Sequence, residues 1–344
     1  MSDLPKILGH ERILAHLREV ASADRLHHAY LFEGPAGVGK RLTAQWLSLM
    51  MNCTDPDEAM RPCGRCHTCR TILAGNHPDV SVVEPDPTKA SARISVAAIR
   101  EVIRRTGYHR YGARRRVVLV DPAEAMAAPA ANALLKTLEE PPDGTGFVLI
   151  ATHADSLLPT ILSRCQRIRF GPVPTEQLVP WLAERGIDDP EATARLSGGC
   201  PGVALSMSDG QLETRIALRG ELFQALGGDL GSLFGWTEKL TKGKRADWRR
   251  RVDEVLDLVE ELLRDTVVAS QDGERPLLHA DAASVTKAWS RALWPSGVVV
   301  CARAVDDARA DLDANVSGRN ALDSLLTVLA TELGRARTAG MSQS

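Results

Sequence analysis

The feature that most limits what this chain can fold into is Gly34-x4-Gly39-Lys40. It stands directly behind the apolar run Ala29-Tyr-Leu-Phe32 and ahead of a helical pattern carried by Leu42, Trp46, Leu47, Leu49 and Met50. Strand, glycine-rich turn and helix in that order make a Walker A phosphate loop. The glycines let backbone N–H groups turn inward around phosphates, and Lys40 would reach the terminal ones. Residues 80–84, 116–120 and 146–151 are apolar at nearly every position, as strands covered on both faces are. Helical stretches at 96–106, 128–139 and 157–162 lie between or after them. The alternation predicts a doubly wound α/β domain over residues 1–171.

The loop departs from the motif just after its lysine. Arg41 stands where a Ser or Thr would hold Mg²⁺, and Thr43 comes two positions too late. Val117-Val-Leu-Val-Asp121 is an apolar strand ending in Asp, as a Walker B motif does. The next residue is Pro122, which has no proton-accepting group to position an attacking water. Glu124, three residues beyond Asp121, reads as solvated helix surface. Gly34, Gly37, Gly39, Lys40 and Asp121 are the candidate residues for ATP or ADP. A loop kept only as a strand–helix connector fits them equally, and turnover by this chain is not expected.

Cys53-x9-Cys63-x2-Cys66-x2-Cys69 places four soft ligands within 17 residues. Adjoining C-x2-C steps let neighbouring thiolates meet one tetrahedral Zn²⁺, and four thiolates close its shell, so the site reads as structural. His67 is in poor register to replace one of them. Cys165, Cys200 and Cys301 are scattered and read as core. An odd count of seven cysteines, four of them clustered, argues for metal and against a disulfide framework, hence for a reducing compartment. The first ten residues lack the basic start and apolar stretch of a signal peptide, and no apolar run reaches about 18 residues. The expectation is a cytoplasmic chain with no membrane partner. With 42 basic side chains against 44 acidic, a surface basic throughout is excluded.

Residues 93–116 nevertheless hold eight arginines (93, 100, 104, 105, 110, 114, 115 and 116) against one acid, Glu101, with Tyr108 and Tyr111 among them. Contact with a DNA backbone, a solvated helix and hairpin, and a face toward a partner subunit all fit this stretch. His77-Pro-Asp79 reads as a turn. No Ser/His/Asp or Cys/His grouping carries a local protease signature. Ser163-Arg-Cys165 closes a helix ahead of strand-like Arg167-Ile-Arg-Phe170. An arginine at such a junction can be offered to a neighbour's phosphates, although alone it reads as an ordinary surface residue.

Beyond Phe170 the pattern changes. Gly171-Pro-Val-Pro174 reads as a linker, and Thr175 as the N-cap of a helix. Short helices broken by Gly198-Gly-Cys-Pro-Gly202 suggest a small helical unit over 172–208, with Ser208-Asp-Gly210 as its boundary. From Gln211 the chain reads as helical. Apolar residues at 252, 255, 256, 259, 262 and 263 mark one long amphipathic helix of an all-α unit over 209–344, whose last residues read as frayed.

Taken together, the phosphate loop, the four-cysteine insert, the 117–121 strand, Asn132-Ala-Leu-Leu-Lys-Thr-Leu-Glu-Glu-Pro-Pro142 and Ser163-Arg-Cys165 resemble the clamp-loader branch of the AAA+ family. The likeness covers about the first 205 residues. Asp121-Pro-Ala-Glu-Ala-Met126, in place of an Asp-Glu pair, is similar to the delta-prime class of bacterial DNA polymerase III and not to the gamma/tau motors. The resemblance implies an AAA+ domain with a zinc module at 53–69, a helical lid and a helical oligomerisation collar, which residues 315–325 match only loosely. It implies Zn²⁺ on Cys53, Cys63, Cys66 and Cys69. It further implies a rigid stator that helps open the sliding clamp and place it on primer–template DNA, together with gamma/tau and delta subunits. Arg164 would then be an arginine finger offered in trans to a motor subunit's ATP. The lid's sensor arginine, expected after Gly198-Gly199, is replaced by Pro201-Gly-Val-Ala204, a third missing part of a hydrolytic site. Two readings stand beside this one: an ATP-hydrolysing motor subunit of the same family, and a sequence-tolerant DNA-binding protein using residues 93–116.

Overall fold

The computed structural model describes residues 4–86, 93–207, 211–271 and 276–341. The boundary expected at 208–210 and the last three residues, expected to fray, lie outside the described residues. The chain forms two compact units: Met1–Ile187 with Gly199–Leu205, and Asp188–Gly198 with Ser206–Ser344.

The first unit carries five strands: β1 (Ala29–Glu33), β2 (Val80–Val83), β3 (Arg116–Val120), β4 (Thr145–Ala151) and β5 (Gln166–Arg169). They pair in parallel in the order β2-β3-β4-β1-β5. Every residue of β1, β3 and β4 is buried, which explains why these strands show no polar alternation. Helices α1 (Glu11–Ser22), α2 (Lys40–Asn52), α3 (His67–Leu73), α4 (Val96–Thr106), α5 (Ala128–Glu139), α6 (Pro159–Leu162) and α7 (Thr175–Ala183) accompany the sheet. Successive strand residues point to opposite faces, so one core joins Leu31, Val118 and Phe147 to Ile99 and Leu134 of α4 and α5. The other joins Phe32, Leu119 and Val148 to Leu17 and Leu47 of α1 and α2. Because β1 lies between β4 and β5, the strand order reverses at its carboxyl end, the place where open α/β sheets bind ligands.

Helix α4 starts where Ser95 Oγ accepts the Ala98 N–H at 3.2 Å, a side-chain N-cap. Helix α7 starts differently from expectation. Thr175 is its first helical residue, and the cap is the extended Pro174, which makes no side-chain cap bond. Helices α8 (Pro190–Leu196) and α9 (Pro201–Ser206) follow.

The second unit is all-α among the described residues. It comprises α8, α10 (Gln211–Gly227), α11 (Leu230–Leu240), α12 (Arg245–Ser270), α13 (Ala283–Leu293), α14 (Ser296–Asp313) and α15 (Gly318–Met341). The apolar stripe of α12 (Val252, Val255, Leu256, Val259, Leu262 and Leu263) is buried throughout, against Leu222, Trp289, Cys301, Leu322 and Leu326. Among the described residues no helix is long and apolar enough to cross a membrane.

Candidate functional site

Between β1 and α2 the chain turns at Gly34, Gly37 and Gly39, with φ of 145°, 73° and 113°, values that side-chain-bearing residues resist. The turn is also crowded: a Cβ on Gly34 would stand 2.2 Å from the Phe170 carbonyl oxygen. Lys40 is folded back onto this loop, its Nζ donating to the carbonyls of Gly34 and Pro35 at 2.5 and 2.7 Å. Burial pulls the Lys40 ammonium below the usual lysine range, while Glu124 and Asp121 pull it upward. A cavity of about 590 Å³ opens beside the loop. Gly39, Lys40 and Asp121 give it a polar end, and Ile7, Ile150 and Trp181 an apolar wall, the usual make-up of a small-molecule site.

Two details differ from the sequence reading. Glu124 is not solvated helix surface. Pro122 and Met126 are both extended, so residues 123–125 form a single tight turn ahead of α5, and Glu124 lines the cavity. Its Oε1 accepts the Thr152 N–H at 2.8 Å, and its Oε2 is buried with no hydrogen-bond partner among the described residues. In addition, Gly202, within Pro201-Gly-Val-Ala204, donates its N–H to the Gly37 carbonyl at 2.8 Å. Backbone closes on the phosphate loop there.

Arg41 decides how the site treats a cation. Its Nη1 lies 2.8 Å from Glu84 Oε2 and 2.9 Å from Asp121 Oδ2. A guanidinium thus bridges the acid at the end of β3 to one just past β2. Mg²⁺ needs an octahedron of oxygen ligands, and here the expected hydroxyl is absent while Asp121 is already neutralised. These residues do not fit Mg²⁺. Glu84 belongs to no motif, and no local signal marks it.

Arg164 lies just after α6, and its partners come from two motifs that are separate in sequence. Nη1 donates to the Thr160 carbonyl at 2.8 Å and to Ser163 Oγ at 3.2 Å. Nη2 pairs with Glu139, the last residue of α5, within the 132–142 block. The arginine side chain stays 31% exposed. A single ion pair at such a surface holds by about 1 kcal/mol or less, so the guanidinium is readily released. Next to it, burial pushes the Cys165 thiol up to about 12, and it pushes Cys301 up to about 11, with Glu332 adding to the rise. With Cys200, both are buried, packing residues and not reactive ones.

The Sγ atoms of Cys53, Cys63, Cys66 and Cys69 all lie within 4.8 Å of one another. Backbone N–H groups of Cys63, Cys66 and Cys69 each donate to a sulfur of the cluster at 3.3 Å, the support that metal-bound thiolates receive. Burial opposes the Cys66 thiolate, but hydrogen bonds with Thr54 and Cys69 outweigh it and bring the thiol down to about 6. Burial drives Cys53 and Cys69 the other way. Four converging sulfurs suit a tetrahedral soft cation, so the cluster can chelate a metal ion. His67 is exposed and stands outside it.

The arginine-rich stretch divides by role. Arg116 is buried, with Nη2 3.0 Å from Asp79 Oδ1 and further bonds to the carbonyls of Thr106, Tyr108 and His109. Asp79 is fully buried, and its Oδ2 accepts the N–H groups of Tyr111 and Ala113 at 2.7 and 3.3 Å. The His77-Pro-Asp79 turn therefore anchors residues 107–115. Asp79→Ala leaves a buried guanidinium uncompensated. It is expected to cost about 3–5 kcal/mol, seen as a lower urea midpoint and faster proteolysis within 107–115. An unchanged midpoint would refute the anchor. Arg104 and Arg105 are paired with Glu101.

Comparison with known proteins bears on this site. Residues 9–174 match the family model described as "DNA polymerase III, delta subunit". Over 179 residues the chain is 42% identical to the DNA polymerase III subunit delta' of Pseudomonas aeruginosa, covering 51% of this chain and 53% of that protein. Over 322 residues it is 29% identical to the subunit delta' of Bacillus subtilis, covering 92% and 95%. Against the subunit gamma/tau of Mycobacterium bovis the identity is 31% over 285 residues, covering 75% and 48%. The chain is thus similar to DNA polymerase III subunits of both the delta-prime and the gamma/tau kind. Its match to the Pseudomonas relative spans about half of that protein's length. Because relatives of both subunit kinds are similar to it, its own site residues carry the distinction between them.

Proposed function

We propose that this chain is a delta-prime-type stator of a cytoplasmic DNA polymerase III clamp loader, one that does not itself turn over ATP. The observation that carries the reading is Arg41: it stands where a motor would carry the hydroxyl that holds Mg²⁺, and its guanidinium pairs instead with Asp121 and Glu84. Gly34, Gly37, Gly39 and Lys40 keep the shape of a phosphate cradle for ATP or ADP without the parts that hydrolyse it. Arg164 serves a neighbouring gamma/tau subunit, its planar fork stabilising charge on the transferring phosphoryl group. Glu139 holds it when no phosphate is in reach. The proposed organisation is an AAA+ α/β domain over 1–171 with Zn²⁺ on the four cysteines, a helical lid over 172–208 and a collar over 209–344. Its partners are gamma/tau and delta subunits, the sliding clamp and, through the complex, primer–template DNA.

One observation favours the alternative of a motor subunit: the orphaned Glu124 Oε2 in the cavity, a carboxylate that could act where Pro122 cannot. A single experiment separates the two. In a loader reconstituted with gamma/tau and delta, Lys40→Ala in this chain should leave clamp- and DNA-stimulated ATP hydrolysis unchanged. Loss of the Walker lysine in gamma/tau should abolish it. Residual turnover that disappears with Lys40→Ala would make this chain a motor.

A further inference from the structure

At the end of the sheet opposite the phosphate loop, where β3 and β4 begin, lies a second cavity of about 520 Å³. Its lining brings together residues distant in sequence: Arg61 from the cysteine insert, and Arg110, Arg114 and Arg115 from the segment that Asp79 anchors. Only two acids line it. Glu58 pairs with Arg61 at 2.8 Å and Asp24 with Arg115 at 2.7 Å. Arg110 and Arg114 have no carboxylate partner among the described residues, and Arg110 Nη1 donates only to the Arg114 carbonyl, at 2.6 Å. The backbone makes room for that guanidinium: Gly144 has φ 68°, and a Cβ there would fall 1.8 Å from Arg110 Nη1. Met50 and Met51 add apolar surface to the lining.

Tyr111, which follows Arg110 in the chain and lies outside the lining itself, is a second kind of group. Its side chain is 85% exposed, yet its backbone is held by the buried Asp79. A ring left in water on an anchored segment is preorganised to be covered by something else. Tyr108, by contrast, lies under Arg104 at 5.5 Å.

We propose that this pocket and Tyr111 bind single-stranded nucleic acid, with backbone phosphates on Arg110 and Arg114 and a base stacked on Tyr111. Guanidinium forks match phosphate oxygens two at a time, and stacking on a tyrosine accepts any base. An acidic peptide would use the arginines and leave the ring idle. A duplex would need a broad basic face, whereas a cavity with two unpaired arginines takes one or two phosphates. The inference is independent of the Arg164 reading, since the two sites share no residue.

The test uses the full chain and a fluorescent oligo-dT of roughly twenty nucleotides, with anisotropy read at about 50 and 200 mM salt. The wild type should bind, more weakly at the higher salt. Arg110→Ala with Arg114→Ala should weaken binding at least about 10-fold and flatten the log–log salt slope by about 1.4, the value for two phosphates on a single strand. Tyr111→Ala should weaken it about 5-fold or more, and Tyr111→Phe should stay within about 2-fold of wild type because the π-face remains. Oligo-rU in place of oligo-dT shows which sugar is preferred, and binding to either one satisfies the proposal. No binding by the wild type, equal binding by the double variant, tighter binding to a duplex of the same length, or equal displacement by polyglutamate would each overturn it. The substituted residues are exposed, and a wild-type urea midpoint for each variant confirms that binding alone has changed.

Discussion

If Arg164 acts in trans as proposed, Arg164→Ala is expected to slow ATP hydrolysis at the adjoining motor site by roughly 10³-fold or more, with the loader still assembled. That factor corresponds to about 4 kcal/mol of transition-state stabilisation. The chain itself should barely notice the change. Arg164 is 31% exposed and makes one surface ion pair, worth about 1 kcal/mol or less. A large fall in rate at unchanged stability would therefore be the signature of a group that acts on a partner. The measurement calls for a complex in which the adjoining gamma/tau subunit is the sole active motor, because other motor sites would mask the loss. Arg164→Lys should recover little, since an ammonium keeps the charge but not the planar fork. An unchanged rate would reduce Arg164 to a surface residue held by Glu139, and the stator reading would lose its chemistry.

The second large effect concerns the cysteines. The wild-type chain should hold about one zinc, and Cys66→Ser should remove it and unfold the 53–69 insert. The reason is the composition of the local core: its buried members are Leu49, Cys53, Cys63, Cys69 and Ile72, so three of the five are cysteines of the cluster that can chelate the metal. Without an ion the insert has little to bury. Cysteine-rich zinc sites carry apparent binding free energies of about 10–16 kcal/mol, against about 1 kcal/mol for an ordinary substitution. Zinc analysis and protease cutting within 54–66 would read both consequences. Affinity should also fall with acidity. Cys66, already low at about 6, keeps its thiolate until the pH drops through that value. Cys53 and Cys69, pushed up by burial, must release protons to the solvent whenever the metal binds. Binding therefore weakens steadily as the pH falls, because more protons must be displaced from the thiols for each metal bound. A Cys66→Ser chain that retained one zinc and a wild-type cutting pattern would sink the assignment.

Much of the architecture was legible from the residues because its signals are local. Strands β1, β3 and β4 read as continuous apolar runs because helices cover both faces of the sheet. Helices α4 and α5 fall on the expected residues because their apolar positions recur at helical spacing within a dozen residues. The phosphate loop and the cysteine insert were visible for the same reason, since each is complete within 20 residues. Glu124 was misread because helical spacing does not reveal that a turn ends after three residues, and Thr175 because capping preference alone does not locate a boundary to the residue.

Within the residues alone lay a strand–loop–helix opening, a cluster of thiols able to hold a metal, and a glycine-rich loop followed by Arg41 where its motif has a hydroxyl. Tertiary structure alone showed which side chains meet around that loop. Arg41 meets Glu84 and Asp121 because β2 pairs with β3, 43 and 80 residues away along the chain. Arg164 meets Glu139, and four arginines converge on a cavity, because the sheet order brings the ends of distant segments together. Propensity and periodicity act over a few residues through backbone sterics and solvent. Partnerships between charged side chains depend on where the whole sheet places them, and a short window of sequence does not contain that information.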